Sequence, residues 1–157
     1  MADKQKNLKF LHFRSGNSDY AVELEYVKEI IRSVAVSPMS ELPPFAPGVI
    51  NLRGEIIPII DFLLRSGAGA TTLRLKSRII IMRIHDITAG LLVDDVLETL
   101  EVEPSDITRN LHADVLIDVK YIQGTFLSGG TTIVCVDLNK LMTDKEYAVL
   151  RHEVKHA

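Results

Sequence analysis

The chain has 157 residues, a formal net charge of −3, 46% hydrophobic residues and 25% charged residues. This length is enough for one domain or two small lobes with a buried core, and the composition is typical of a globular protein. The acidic net charge, the few aromatic residues and the absence of tryptophan argue against nucleic-acid binding, which needs a basic face and rings for stacking.

The N-terminal half begins with short predicted strands. Residues 1–7 are polar and lack the apolar core of a signal peptide. Residues 8–15 alternate in hydrophobicity as a strand does. A turn is expected at residues 16–19, followed by a second strand in residues 20–24.

Two segments of different character follow. In EYVKEII, Val27, Ile30 and Ile31 recur at helical spacing, which predicts one or two helical turns. The segment VAVSPM, residues 34–39, predicts a short strand. The proline-rich ELPPFAPG after it is expected to be a connection outside any central ladder.

Residues 48–61, with the sequence GVINLRGEIIPIID, place two apolar runs on either side of an Arg-Gly pair, which predicts strand, tight turn and strand. Pro58 indicates an edge position or a bulge in the second strand. The longest apolar run, residues 56–64, is too short to span a bilayer. We therefore expect a cytoplasmic protein without direct membrane insertion. Residues 65–77 are small, polar and basic, which indicates a linker between halves or a mobile hairpin tip.

The second half predicts further strands and a terminal helix. Strands are expected in RIIIMRIH and in GLLVDDVLETLEV. Cys135 lies in the apolar run TTIVCVDL, and as the single cysteine it is expected to be a small buried hydrophobe. Thr143 and Glu146 fit a capping box, and an apolar stripe behind them predicts a helix over residues 144–155.

The hairpin sequence occurs twice. A second copy, GTFLSGGTTIVCVD, begins at Gly124, 76 positions after Gly48, and it matches the first at both glycines, one isoleucine and the final aspartate. A weaker echo precedes each copy, because AVELEYVKEII resembles GLLVDDVLETL at an offset of 69 positions. In both halves of the sequence the weaker repeat comes first and the hairpin repeat second. One β unit present twice, with many short strands and one clear helix, predicts small barrels or a sandwich.

These residues also carry a family resemblance. GVINLRGEIIPIIDF, preceded by LPPFAP and an upstream VKEII, resembles the signature of CheW, the bacterial chemotaxis coupling family. AGLLVDDVLETLEVEPSDI and YIQGTF with TTIVCVDLNKLM resemble the second half of that family, so the similarity runs from about residue 8 to 142.

The resemblance implies a mainly β fold, with two five-stranded SH3-like β-barrel subdomains related by a pseudo-two-fold, a short helix and a C-terminal helix. The domain is expected over residues 8–143, with a C-terminal helix over 144–157. Subdomain 1 is expected at about 16–78, and subdomain 2 at about 8–15 plus 79–143. The first strand is expected to pack with the second barrel, so that the halves interlock.

The function implied by the resemblance is that of an adaptor without catalysis and without a cofactor. Its expected partners are the regulatory domain of a chemotaxis histidine kinase and the cytoplasmic tip of a chemoreceptor, which would recruit it to membrane-receptor arrays. The same adaptor role in a pilus-motility or other non-flagellar array is the alternative that the sequence leaves open.

Seven residues are candidates for partner binding. They lie on the hairpin and on the segment before it: Gly48, Asn51, Leu52, Arg53, Gly54, Val27 and Glu29. Arg53 is the main candidate, because its counterpart in the second copy is Gly129 and the repeat therefore does not need arginine for folding. A guanidinium on a rigid turn is suited to bidentate pairing with a carboxylate. For Val27, a role in the core and a role in partner contact remain equally open.

Two catalytic hypotheses are weaker. Residues 152–156 spell H-E-x-x-H, the helical zinc-protease pattern, and a zinc hydrolase built on His152 and His156 is the alternative from a different class. The familiar versions need a third ligand further along the chain, so we expect no metal site. Acidic residues at Asp61 and Asp137 occupy equivalent strand ends, which predicts turn or cap hydrogen bonds and no catalytic pair.

Overall fold

The computed structural model describes residues 6–109 and 117–155, and over these residues the chain forms ten strands and two α-helices. The strands are β1 (Leu8–Ser15), β2 (Ser18–Glu23), β3 (Val27–Arg32), β4 (Gly48–Leu52), β5 (Glu55–Asp61), β6 (Arg78–Ile84), β7 (Ile87–Val93), β8 (Asp95–Val102), β9 (Ile122–Ser128) and β10 (Thr131–Val136). The helices are α1 (Phe62–Ser66) and α2 (Asp144–Lys155). Short 3₁₀ turns lie at Leu24–Tyr26, Pro104–Asp106, Val119–Tyr121 and Leu138–Lys140.

The strands form two five-stranded sheets of identical topology. Sheet A has the order β8-β1-β2-β10-β9, and sheet B has the order β3-β6-β7-β5-β4. Adding five to each number from β1 to β5, and subtracting five from each number from β6 to β10, converts one order into the other. The predicted duplication is therefore confirmed: β1–β5 and β6–β10 are the two copies of one unit.

Each copy divides its strands between the two sheets. The first copy contributes β1 and β2 to sheet A and β3–β5 to sheet B, and the second copy does the reverse. The predicted subdomain ranges do not follow this division, since they assigned β2 to the first subdomain and β6 and β7 to the second. The chain passes from sheet A to sheet B between β2 and β3 and returns between β7 and β8, so both predicted boundaries lie one or two strands too early.

Three apolar clusters fill this arrangement. One lies inside sheet A around Phe10 and Cys135, and another lies inside sheet B around Ile57 and Ile59. The largest lies between the sheets and includes Phe13 from sheet A with residues from sheet B and from α2. Central strands therefore bury both faces, which explains the continuous apolar run of β6. The mainly β class with two five-stranded sheets is confirmed.

Neither sheet closes into a barrel through a continuous ladder, but one bridge spans each gap. In sheet B the gap between β3 and β4 is bridged by Ser37 and Val49, whose backbone groups exchange hydrogen bonds of 2.8 and 2.9 Å. In sheet A, Thr108 and Thr125 bridge the equivalent gap between β8 and β9 in the same way. Gly48 precedes Val49 and Gly124 precedes Thr125, and the absence of a side chain at each glycine leaves room for the bridging segment.

Two local predictions were wrong. The expected helical turns in EYVKEII reduce to the 3₁₀ turn Leu24–Tyr26, and β3 occupies the rest because pairing with β6 overrides the spacing of its apolar residues. The expected strand at 34–39 is represented only by the isolated bridge at Ser37. The short helix lies instead at α1, directly after the first hairpin.

Pro58 lies in β5, which has β4 on one side and β7 on the other. Pairing with β7 begins at Ile59, one residue later. Opposite Pro58, Val49 directs its backbone N–H and C=O to Ser37, so β4 needs no hydrogen bond from the proline. The proline is therefore tolerated within a strand that is not an edge strand.

Helix α2 begins with the predicted capping box. The N–H of Thr143 donates to Glu146 Oε1 at 2.8 Å, and the N–H of Glu146 donates to Thr143 Oγ1 at 3.2 Å. Arg65 of α1 also reaches both carboxylate oxygens of Glu146, at 3.0 and 3.2 Å, and donates to the carbonyl of Leu141 at 2.6 Å. The helix is confirmed over Asp144–Lys155, and residues 156–157 of the predicted range lie outside the described residues. No helix in the described part of the chain is both long and apolar enough to cross a membrane.

Candidate functional site

The tip of the first hairpin is a tight turn with two left-handed residues. Arg53 has φ +50° and Gly54 has φ +86°, and the corresponding residues of the second hairpin, Gly129 and Gly130, have φ +56° and +81°. Positive φ at both central positions defines the type I′ turn that suits a two-residue hairpin. Asn51 supports the turn, because its Oδ1 accepts a hydrogen bond from the N–H of Gly54 at 2.9 Å.

Arg53 and Glu29 form an ion pair across the open edge of sheet B. Arg53 Nη2 donates to Glu29 Oε2. The two residues belong to β3 and to the turn after β4, which are the opposite ends of the sheet order. The sheet therefore curls until its edges approach, and this curling brings together two candidates that are 24 positions apart.

The energetics of this corner do not favour arginine for folding. The side chain of Arg53 is 68% exposed and that of Glu29 is 35% exposed, and an exposed ion pair contributes about 0–1 kcal/mol. Holding a residue with a Cβ in the left-handed region costs about 1 kcal/mol or more. The ion pair at best offsets this strain, so the stability of the fold gives no reason to prefer Arg53 over the glycine found in the second copy.

The remaining candidates divide into exposed and structural positions. Asn51 and Gly54 are exposed beside Arg53, whereas Leu52 is partly buried against the core of sheet B. Val27 is partly buried against the core between the sheets. Gly48 is buried at the far end of β4, where a Cβ would lie 2.1 Å from the carbonyl oxygen of Ser37. The structure thus gathers the turn residues and Glu29 at one corner and gives Gly48 a packing role.

The acidic residues considered for catalysis serve as caps. Asp61 Oδ1 accepts hydrogen bonds from the N–H groups of Leu63 and Leu64 at 3.0 and 3.3 Å. Asp137 Oδ1 accepts the N–H of Asn139 at 3.0 Å. The predicted capping role of the two equivalent aspartates is therefore confirmed.

The H-E-x-x-H segment lies only partly within the described residues. His152 is on α2, and His156 lies outside the described residues. Among residues 6–109 and 117–155, no group of three His, Cys, Asp or Glu side chains is arranged to hold a metal ion. Cys135 is fully buried in the core of sheet A, and this burial raises the pKa of its thiol to about 12.

The sequence arguments missed one exposed feature, the loop between α1 and β6. It was expected to be a linker or a mobile tip, but Asp61 fixes it through the N–H of Thr71 at 2.9 Å and the hydroxyl of Thr71 at 2.6 Å. Leu73 and Leu75 project from it, 54% and 97% exposed. The alternation of leucine with basic residues in LRLK, residues 73–76, was the sequence signal that could have predicted an exposed basic and apolar loop.

Two interlocked five-stranded sheets, with the ion pair of Arg53 and Glu29 at the edge of one of them, define a mainly β protein built from a duplicated unit. The sequence matches the CheW-like domain family over residues 9–146. The chain belongs to this family.

Named relatives and a solved structure agree with this assignment. The chemotaxis protein CheW of Rhizobium meliloti is 32% identical over 136 residues, which cover 85% of this chain and 86% of the relative. The chemotaxis protein CheW of Klebsiella aerogenes is 27% identical over 155 residues, which cover 99% of this chain and 93% of the relative. The crystal structure of the scaffolding protein TtCheW from Thermoanaerobacter tengcongensis matches with a TM-score of 0.80 and 29% identity, covering 93% of this chain and 94% of that chain.

Proposed function

We propose that this protein is a non-catalytic adaptor that couples chemoreceptors to a chemotaxis histidine kinase. Its partners would be the regulatory domain of the kinase and the cytoplasmic tip of the receptor. The family membership and the scaffolding protein of the same fold support the adaptor role. The observation that supports the site is Arg53, a largely exposed arginine in a left-handed turn position where the repeated hairpin has glycine.

The chemistry of the contact would be recognition of a partner carboxylate. A guanidinium has five N–H donors in a fixed fork, and the bond to Glu29 uses one of them. The remaining donors belong to a side chain that is 68% exposed, so they are available to an acidic group of a partner. The turn fixes the backbone of Arg53, which lowers the conformational entropy lost when the contact forms.

The mechanism would be linkage between two binding equilibria. A receptor that binds the adaptor in one signalling state changes the stability of the adaptor–kinase contact, and the reverse holds by the same free energy. The adaptor is suited to this because it is a stiff body: central strands are buried on both faces, and Arg65 ties α1 to α2 through Glu146.

The test is the binding of Arg53 variants to the kinase regulatory domain and to a receptor cytoplasmic hairpin. Arg53→Glu should weaken one or both affinities by about 2 kcal/mol, because a repelling charge would lie at the contact. Its free energy of unfolding should fall by no more than about 1–2 kcal/mol, because the variant loses the exposed ion pair with Glu29 and places a second carboxylate beside it.

Two control variants sharpen this test. Arg53→Gly reproduces the second hairpin, so it should fold at least as stably as the parent and still bind weakly. Arg14→Glu removes a different surface arginine, which pairs with Asp19 at 3.0 Å, and should leave both affinities unchanged. Full affinity of Arg53→Glu for both partners would contradict the proposed site, and unfolding of both Arg53 variants would make the arginine structural.

A further inference from the structure

We propose that a second surface of this protein, the basic corner, binds an acidic segment of a partner protein that also carries large apolar side chains. The basic corner consists of Arg32 and Ser33 at the end of β3 and of Leu73, Arg74 and Leu75 in the loop before β6. These five residues line one concave surface. The surface is separate from the Arg53 site and does not depend on the proposed function.

The charge of the basic corner opposes that of the whole chain. Residues 65–78 contain four basic residues and no acidic residue, in a chain with a formal net charge of −3. Arg32 lies directly opposite Arg78 in the pairing of β3 with β6. Like charges placed opposite each other in a sheet are destabilising. Within the described residues, no carboxylate lies within ion-pair distance of Arg32 or Arg74, so their charges are not neutralised by the fold.

The leucines are held out of the core by an anchored backbone. The loop is fixed at its start by Asp61 through Thr71. At its end, the N–H of Arg74 donates to Ser77 Oγ at 2.9 Å, the N–H of Ser77 donates to the carbonyl of Arg74 at 3.0 Å, and Arg78 Nη1 donates to the carbonyl of Leu75 at 2.8 Å. Ser77 itself is 1% exposed. The loop therefore presents Leu73 and Leu75 in a defined position.

The basic corner and the Arg53 site lie on opposite faces of β3. Glu29 is paired with Ile81, whose side chain belongs to the core inside sheet B. Ile30 is paired with Ile80, whose side chain belongs to the core between the sheets. Successive strand residues point to opposite faces, so Arg32 shares the face of Ile30 and is directed away from Glu29. Ile30, on the same face of β3 as Arg32, is 42% exposed.

The chemistry of the basic corner selects its occupant. Arg32 and Arg74 are suited to carboxylates, which a guanidinium binds in bidentate fashion. Leu73 and Leu75 would be removed from water only by packing against apolar side chains of a partner. A concave surface of five residues fits a narrow chain segment better than a flat bilayer, and two leucines are fewer than a stable membrane anchor normally uses. A segment with alternating acidic and apolar residues meets all these requirements.

The test begins with selection of a random peptide library on the full chain. The expected result is enrichment of peptides that combine Asp or Glu with large apolar residues. The affinity of an enriched peptide, measured by fluorescence anisotropy, should fall at least ~10-fold for the double variant Arg32→Glu/Arg74→Glu, because attraction becomes repulsion. A loss of ~10-fold is expected for Leu73→Ser/Leu75→Ser, which removes the apolar contact.

Controls separate this surface from others. Lys140→Glu reverses the charge of an exposed lysine outside the basic corner, on the 3₁₀ turn Leu138–Lys140, and should change the affinity by less than ~2-fold. No variant should have a urea midpoint below the parent's, since every altered side chain is exposed and Arg32→Glu places an opposite charge across from Arg78. Enriched peptides without acidic residues, or equal affinity for the parent and both double variants, would overturn the proposal. Binding of vesicles with anionic lipids, or self-association, that the same variants abolish while no acidic peptide is enriched would also overturn it.

Discussion

Replacing Gly48 by alanine should be far more destabilising than the same change at Gly124, its equivalent in the second copy. A Cβ at Gly48 would lie 2.1 Å from the carbonyl oxygen of Ser37 and 2.7 Å from its carbonyl carbon. These are backbone atoms, so the bridging segment would have to move and its two hydrogen bonds with Val49 would be lost or strained. Two backbone hydrogen bonds at about 1 kcal/mol each, with the strain of overpacking, give a cost of about 2–4 kcal/mol.

The same change at Gly124 meets a softer environment. The nearest atom to a Cβ there is Cγ2 of the partly exposed Ile107, at 2.6 Å, and the backbone oxygen of Thr108 is 3.0 Å away. The isoleucine can turn outward, so we expect a cost of about 1 kcal/mol. At Gly54 a Cβ would meet nothing within 4 Å, and only its φ of +86° makes Gly54→Ala unfavourable, by about 1 kcal/mol.

The assay is urea unfolding of the three variants, supported by thermal scans. For a domain of this size, 1 kcal/mol corresponds to a shift of about 2–4 °C in Tm, so Gly48→Ala should melt roughly 4–16 °C below the parent. The ranking is the decisive result. Equal midpoints for Gly48→Ala and Gly124→Ala would refute the argument that the backbone of Ser37 makes Gly48 necessary.

Two further predictions concern α2 and the core of sheet A. Thr143→Ala removes the hydroxyl that accepts the N–H of Glu146 and should lower the free energy of unfolding by about 1 kcal/mol, whereas Thr143→Ser should keep it within a few tenths; equal losses in urea titrations would exclude the cap. Cys135 should resist alkylation in the native chain and react when unfolded, because burial raises its pKa to about 12. The thiol of the unfolded chain ionises as pH rises past its ordinary pKa of 9.0, whereas the buried thiol of the folded chain stays protonated up to about pH 12. Ionisation therefore favours the unfolded chain, and this residue makes the free energy of unfolding fall as pH rises between about 9 and 12. Cys135→Ala should flatten that part of the pH profile, and an unchanged slope would contradict this cause.

Local signals in the sequence were sufficient for the hairpins and caps. The two glycine-containing turns, the aspartates at the ends of β5 and β10, and the capping box of Thr143 and Glu146 each depend on residues within four positions of one another. Such features can be predicted from neighbouring residues, because a positive φ needs a suitable residue at that position and a free N–H at a helix start needs an acceptor close by in the chain.

Sheet membership could not be predicted in this way. β2 pairs with β10 more than a hundred residues later, and it does so through only two register positions, Tyr20 with Val134 and Ala21 with Cys135. The segment EYVKEII was misassigned because Val27, Ile30 and Ile31 satisfy helical spacing equally well, and only pairing with β6 decides for a strand.

The candidate site was predicted in its members but not in its contact. Arg53 stood out because the second copy has glycine there, and Glu29 came from the family resemblance. Their ion pair depends on the curling of sheet B, which brings β3 and the turn after β4 together although they are at opposite ends of the strand order. Curvature of this kind follows from the packing of the whole sheet, so no local pattern reports it.

The most direct test of the central claim is the affinity of the charge-swapped chain Glu29→Arg/Arg53→Glu for the kinase regulatory domain and the receptor hairpin, measured by calorimetry. The swap keeps an opposite-charge pair between β3 and the turn, so the fold should retain its stability within about 0.5 kcal/mol. If Arg53 acts by pairing with a partner carboxylate, the swapped chain should still bind about 2 kcal/mol more weakly than the parent. Parent-like affinity for both partners in the swapped chain would contradict the account. Binding would then depend only on an ion pair between positions 29 and 53, whichever of the two carries the positive charge.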